Sequence, residues 1–113
     1  MKVIHVDDHV LFAEGLNAML SMRTDFDVVS LTSARDALNM LDEIGEVDLL
    51  LVDLRMPEMN GISMIEAIDR RELLVPVVVI SASEDLWEIR KVMQAGAAGF
   101  IPKTANTEEI VSI

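Results

Sequence analysis

Five short apolar runs, separated by segments of helical period, constrain this chain more than any other feature of its sequence. The runs cover residues 2–6, 27–31, 49–52, 75–80 and 98–101. Most are rich in Val, Ile or Leu without polar alternation, as strands buried on both faces of a parallel sheet must be. The last is the weakest, diluted by alanine and glycine. Between the runs, Phe12, Leu16, Met19 and Leu20 mark one helical stripe, and Ala34, Ala37, Leu38, Leu41 and Ile44 a second. Ile62, Ile65 and Ile68 mark a third, and Leu86, Ile89, Val92 and Met93 a fourth. Ile110 and Ile113 begin a fifth over residues 107–113, which reads as a helix cut short. The punctuation agrees. Ser33 is placed to cap the second helix and Gly45 to end it, Ser83 with Glu84 or Asp85 opens the fourth, and Gly96 closes it. Strands alternating with helices predict an α/β sheet with helices on both faces.

In open α/β sheets, ligands bind beyond the carboxyl ends of the strands. Asp7 and Asp8 follow the first run, Asp53 the third, Ser81 the fourth and Lys103 the fifth. The second is followed only by Thr32 and Ser33, which suits an edge strand and a helix cap. Taken singly, each has an ordinary explanation. Asp7 and Asp8 favour a helix amino terminus, Asp53 a turn, Ser81 a cap, and Lys103 a solvated surface. Their joint placement at one sheet edge overturns those explanations. Two like charges 4 Å apart repel by about 4 kcal/mol at an effective dielectric of 20. Three carboxylates therefore call for a cation beyond what Lys103 supplies. All-oxygen ligands point to Mg²⁺, or Mn²⁺, and away from Zn²⁺. A carboxylate beside such a metal can attack phosphorus and form an aspartyl phosphate.

Composition narrows the alternatives. Nine Lys and Arg against twenty Asp and Glu give a net charge of −11, which argues against direct binding to DNA or an anionic membrane. The chain has no cysteine, excluding disulfides, thiolate metal sites and a thiol nucleophile. No apolar run approaches the roughly 20 residues that span a bilayer, and the acids that follow Val6 at once are not those of a signal peptide. At 113 residues, one domain over 1–113 is expected.

The segments Val6-Asp7-Asp8-His9 with Leu11-Phe12 and Gly15-Leu16, Leu51-Val52-Asp53-Leu54-Arg55-Met56-Pro57 with Met59 and Gly61, Ile80-Ser81-Ala82, and Ala95-Gly96-Ala97 with Gly99-Phe100-Ile101 and Lys103 occur in order along the whole chain. Together they resemble the receiver domain of bacterial two-component response regulators, and the stretch from Asp8 to Leu16 resembles the NarL/FixJ subfamily. The resemblance implies a flavodoxin-like five-stranded parallel sheet, order 2-1-3-4-5, flanked by helices, the last of them truncated here. It implies that Asp53 is the phosphoacceptor, and that Asp8 directly and Asp7 partly through water hold Mg²⁺ with the backbone carbonyl of Arg55. Ser81 then matches the switch hydroxyl, Lys103 the phosphoryl-pairing lysine and Phe100 the aromatic switch position. It further implies a cytoplasmic protein, a sensor histidine kinase as partner, a homodimer on phosphorylation, and DNA binding only through a helix-turn-helix output domain outside this chain. A stand-alone receiver or phosphorelay intermediate is the alternative. Such a domain assists its own phosphorylation and dephosphorylation without being a turnover enzyme.

Two positions depart from the family pattern. Thr104 follows Lys103 where proline after a cis peptide is frequent, and a cis bond before threonine costs about 3–4 kcal/mol. Phe100 lacks the hydroxyl of the tyrosine often found there. Other classes fit less well. A haloacid-dehalogenase-like phosphatase needs a second Asp where Arg55 stands. A flavodoxin-like cofactor binder needs a phosphate-cradling loop where Asp7 and Asp8 would repel it. A phosphorylation-independent pseudo-receiver would not need the full acidic and lysine set. Of the remaining residues, His5 is expected to be a buried, neutral, hydrogen-bonded strand residue, and His9 to sit at a helix start without a catalytic role. Trp87 lies off the fourth stripe, covering the helix edge or marking a partner surface. The methionines are expected to be mostly core filler, and Pro57 with Gly61 to shape the loop after Asp53.

Overall fold

The computed structural model describes residues 2–22, 27–44, 46–54, 60–82 and 85–102. Its strands are β1 (Lys2–Val6), β2 (Asp27–Leu31), β3 (Leu49–Asp53), β4 (Val77–Ser81) and β5 (Gly99–Pro102). Its helices are α1 (Val10–Ser21), α2 (Ala34–Ile44), α3 (Gly61–Arg70) and α4 (Leu86–Ala95). All strand pairs are parallel and the order is β2-β1-β3-β4-β5. The expected fifth helix, over 107–113, lies outside the described residues, as does Gly45.

Strand alternation divides the core into two layers. Ile4, Val6, Leu50, Val52, Val77 and Val79 project to the side covered by α2, α3 and α4, where Ala37, Leu38, Met64, Ile68 and Val92 meet them. Val3, Leu51, Val78, Ile80 and Ile101 project to the other side, where Leu16 and Leu20 of α1 meet them. Each fully buried aliphatic side chain contributes roughly 1.5–3 kcal/mol, and the three central strands carry most of them. β2, at the edge, is only half-buried beyond its first residue.

The caps follow the sequence. Ser33 Oγ accepts from the Asp36 N–H at 3.4 Å. Asn60 Oδ1 accepts from the Ser63 N–H at 2.8 Å, and Asp85 Oδ1 from the Trp87 N–H at 3.0 Å. Gly96 ends α4 at φ 116°, a conformation open to glycine. β4 begins two residues later than the apolar run that announces it. Pro76, with no N–H to give, only accepts there, from the Leu50 N–H at 3.0 Å.

The fourth stripe needs correction. Leu86 is 78% exposed and Met93 44%, while Val92 is buried and Ile89 half-buried. α4 covers the end of the sheet, packing on α3 and the four-residue β5. That leaves cover for one narrow line of side chains, not a full apolar face. Trp87 is 62% exposed, with the Lys91 ammonium 5.0 Å from its ring centroid. The methionines divide as well: Met64 is fully buried, but Met22 and Met93 face solvent.

Candidate functional site

The register brings the acidic residues together. Val6 pairs with Val52, so Asp7 and Asp53 follow at neighbouring strand ends with the same side-chain parity. The Asp7 N–H donates to the Leu31 carbonyl at 3.0 Å, which extends β1's pairing one residue past its last strand position. Asp53 pairs with Ile80 across β3 and β4, and the Leu54 N–H donates to the Ile80 carbonyl at 2.9 Å. Asp7 and Asp53 are both buried, whereas the Asp8 side chain is 34% exposed.

Gly61 holds the far side of this arrangement. Its N–H donates to the Leu54 carbonyl at 2.9 Å. A Cβ there would lie 3.2 Å from the Leu54 Cα and 3.5 Å from the Asp53 carbonyl oxygen. Glycine as the first residue of α3 thus lets the backbone after Asp53 pass this close without crowding. Pro57, expected to share this work, lies outside the described residues.

His9 enters the pocket from the start of α1. Its N–H donates to Asp7 Oδ1 at 2.8 Å, folding the chain back over the Asp7 carboxylate. Its ring Nδ1 then lies 2.9 Å from Asp7 Oδ1, 3.1 Å from Asp53 Oδ2 and 3.4 Å from Asp8 Oδ1. One ligand atom from each of Asp7, Asp8, His9 and Asp53 falls within 4.8 Å of the others. From sequence alone, His9 is expected only at the helix start. The signal for its role was local: a strand-end Asp can turn the residue two positions on back toward itself.

His5 is completely buried beneath the pocket, its Nε2 3.9 Å from Asp7 Oδ2 and its ring 6.1 Å from that of Phe12. The hydrogen bond expected of it is not made to Asp7 at that distance. Ser81 is buried at the end of β4 and continues the alternation of Val77 and Val79. It pairs with Pro102, the residue before Lys103. Phe100 is half-buried against the α2–α4 side of the core and pairs with Val79. Arg55, Ser83, Lys103 and the Lys103–Thr104 peptide lie outside the described residues.

The donor set fits a small divalent cation. Burying a carboxylate costs several kcal/mol even after relaxation unless positive charge or donors meet it, and two of these three are buried side by side. Oxygen donors from separate carboxylates at one strand edge suit Mg²⁺. Among the described residues, no helix is long and apolar enough to cross a membrane.

The family model described as the response regulator receiver domain matches residues 3–113. The chain is 35% identical over 111 residues to a probable transcriptional regulatory protein NarL of Mycobacterium tuberculosis, covering 98% of this chain and 51% of that protein. It is 28% identical to the transcriptional regulatory protein DegU of Brevibacillus brevis, covering 98% and 47%. It thus spans about half the length of these curated relatives. Among solved structures, the signal receiver domain of the M. tuberculosis putative response regulator NarL superposes with a TM-score of 0.91 at 35% identity, covering 98% of this chain and 90% of that one. A structure named FixJ-N superposes at 0.89 with 30% identity, covering 98% and 87%. The strand order, the match over nearly the full length and these relatives agree: the chain belongs to the family of response regulator receiver domains, a family of signalling domains and not of classical enzymes.

Proposed function

We propose that this receiver accepts a phosphoryl group on Asp53 from the phosphohistidine of a sensor histidine kinase and passes the event on as a conformational change. The observation that carries the reading is the convergence of Asp7, Asp8 and Asp53 at the carboxyl ends of β1 and β3, with ligand atoms within 4.8 Å. An Asp53 carboxylate oxygen attacks phosphorus, the P–N bond to the kinase imidazole breaks, and the imidazole nitrogen keeps the electron pair. Asp8 and Asp7, with the backbone carbonyl of Arg55, would hold a Mg²⁺ ion. When bound, the ion offsets the charge of nucleophile and phosphoryl oxygens.

Ser81 and Lys103 serve as the reporting groups. Ser81 stands at the adjacent strand end, and Lys103 directly follows the residue paired with it. Phe100, half-buried on β5, carries the change toward the face around α4 and β5. The same pocket assists hydrolysis of the aspartyl phosphate. In the full-length protein, a cytoplasmic regulator, the change controls a DNA-binding output segment outside this chain and favours a homodimer. The relatives named as transcriptional regulatory proteins, about twice this chain's length, support that extension. The test is incubation with acetyl phosphate and Mg²⁺ followed by intact mass measurement. The unaltered protein should gain one phosphoryl mass and Asp53→Asn none. Equal labelling of the variant would overturn the assignment.

A further inference from the structure

Asn60 is the one asparagine of four that a glycine follows; Asn17, Asn39 and Asn106 precede Ala18, Met40 and Thr107. Asparagine is thermolabile because the next backbone nitrogen can attack its side-chain amide carbon. A following glycine eases that attack, since it brings no side chain to crowd the closing ring and turns most freely. The residue that relieves crowding against Leu54 thus opens its own neighbour to this chemistry. Asn60 is exposed, so water reaches it.

The folded backbone holds the reaction off. The Gly61 N–H donates to the Leu54 carbonyl at 2.9 Å, which opposes loss of its proton. Asn60 Oδ1 accepts from the Ser63 N–H at 2.8 Å, which fixes the side-chain amide over the first turn of α3. At ψ 171° the Asn60 Cβ and the Gly61 nitrogen are staggered about the Cα–C bond, whereas ring closure needs them nearly eclipsed.

We infer that Asn60–Gly61 is a latent self-modification site, closed while the start of α3 is in place, and that its reaction disables the phosphoacceptor pocket. The Gly61 nitrogen gives its proton to a solvent base and bonds to Asn60 Cγ. The Cγ–Nδ2 bond breaks, and the nitrogen takes a proton from water and leaves as ammonia. Water then opens the succinimide at either carbonyl, so that water is the sole co-reactant and ammonia the sole by-product. One opening leaves an ordinary aspartate at position 60. The other leaves isoaspartate, with the main chain routed through the former side chain and one carbon longer. That longer link displaces Gly61 from Leu54 and removes the oxygen that caps α3. Leu54 directly follows Asp53, and the Cβ position of Gly61 lies 3.5 Å from the Asp53 carbonyl oxygen, so the displacement reaches the nucleophile's own backbone.

The test ages the unaltered chain and Asn60→Ser at mildly alkaline pH, folded and in urea, and maps the peptides by mass. Serine keeps a capping oxygen but has no amide. In urea, the unaltered peptide around position 60 should gain the mass of an amide-to-acid exchange. The folded chain should gain it at least about tenfold more slowly, because the reaction waits on local opening. The isoaspartate form, separated by ion exchange, should take phosphate from acetyl phosphate and Mg²⁺ at least about tenfold more slowly than unaged protein, since small misplacements cost that much. Aged Asn60→Ser should keep its own starting rate. Equal ageing in folded and unfolded chains overturns the latency. Undiminished labelling of the isoaspartate form, or equal loss in aged Asn60→Ser, overturns the link to the pocket. That link rests on the phosphoacceptor reading only through the labelling. The amide NMR shifts of Asp53 and Leu54 in the isoaspartate form read the same displacement without phosphate, and unmoved shifts would overturn it, so the two failures are distinguishable.

Discussion

Gly61 is where a single methyl group probes the framework of the pocket. An alanine there gains helix propensity of about 1 kcal/mol, but its Cβ meets the Leu54 backbone at 3.2 Å. That backbone is pinned by the Leu54 N–H to Ile80 and the Gly61 N–H to Leu54 carbonyl bonds, so it cannot give way. Overpacking of this kind costs about 1–3 kcal/mol, and Gly61→Ala should lower stability by about 1 kcal/mol in urea denaturation. Asp8 answers a different question, because its carboxylate is partly exposed and its loss leaves the core intact. Asp8→Ala should weaken Mg²⁺ binding by at least about tenfold, read from amide NMR shifts during titration, with the folded spectrum retained. Sequence alone marked Asp7, Asp8, Asp53 and Ser81, because each follows an apolar run directly. It undervalued His9, whose place in the pocket depends on a turn back onto Asp7 that no periodicity records.

Between α3 and β4 the chain makes a turn that its residues do not favour. Glu72 adopts φ 55°, with its N–H donating to the Asp69 carbonyl and the Leu73 N–H to that of Ile68. A left-handed conformation costs a residue with a Cβ about 1–2 kcal/mol, and glycine is the usual occupant after a helix. Glu72→Gly should therefore raise the unfolding free energy measured by urea denaturation by about 0.5–1 kcal/mol, after the entropy glycine adds to the unfolded chain. At the start of α4 the balance runs the other way. Asp85→Ala removes the acceptor for the Trp87 N–H and should cost about 1 kcal/mol in the same assay. The four helices of the described residues were legible from their stripes. The buried face of α4 was not, because periodicity shows which residues share a side but not how much cover the neighbours provide. Leu86 and Met93 lie on the stripe but beyond the reach of α3 and β5.

Across the whole molecule, charge and topology set what the chain does alone. With a net charge of −11, residues 1–113 should give no sequence-specific retardation of promoter DNA in a low-salt mobility-shift assay. Retardation would contradict the placement of DNA binding outside this chain. The parallel α/β class could be read from the order of apolar runs and helical stripes. The 2-1-3-4-5 order came only with the family resemblance, since periodicity carries no information on which strands lie side by side. That order also bears on how the protein is made. β1 leaves the ribosome first, yet ends up inside the sheet, with β2 on one flank and β3 on the other. Once β2 has docked, the opposite flank of β1 keeps its backbone N–H and C=O groups without a strand partner until residues 49–53 emerge. The growing chain thus carries an open seam through the synthesis of α2, a period in which pairing with another nascent copy competes with pairing in cis.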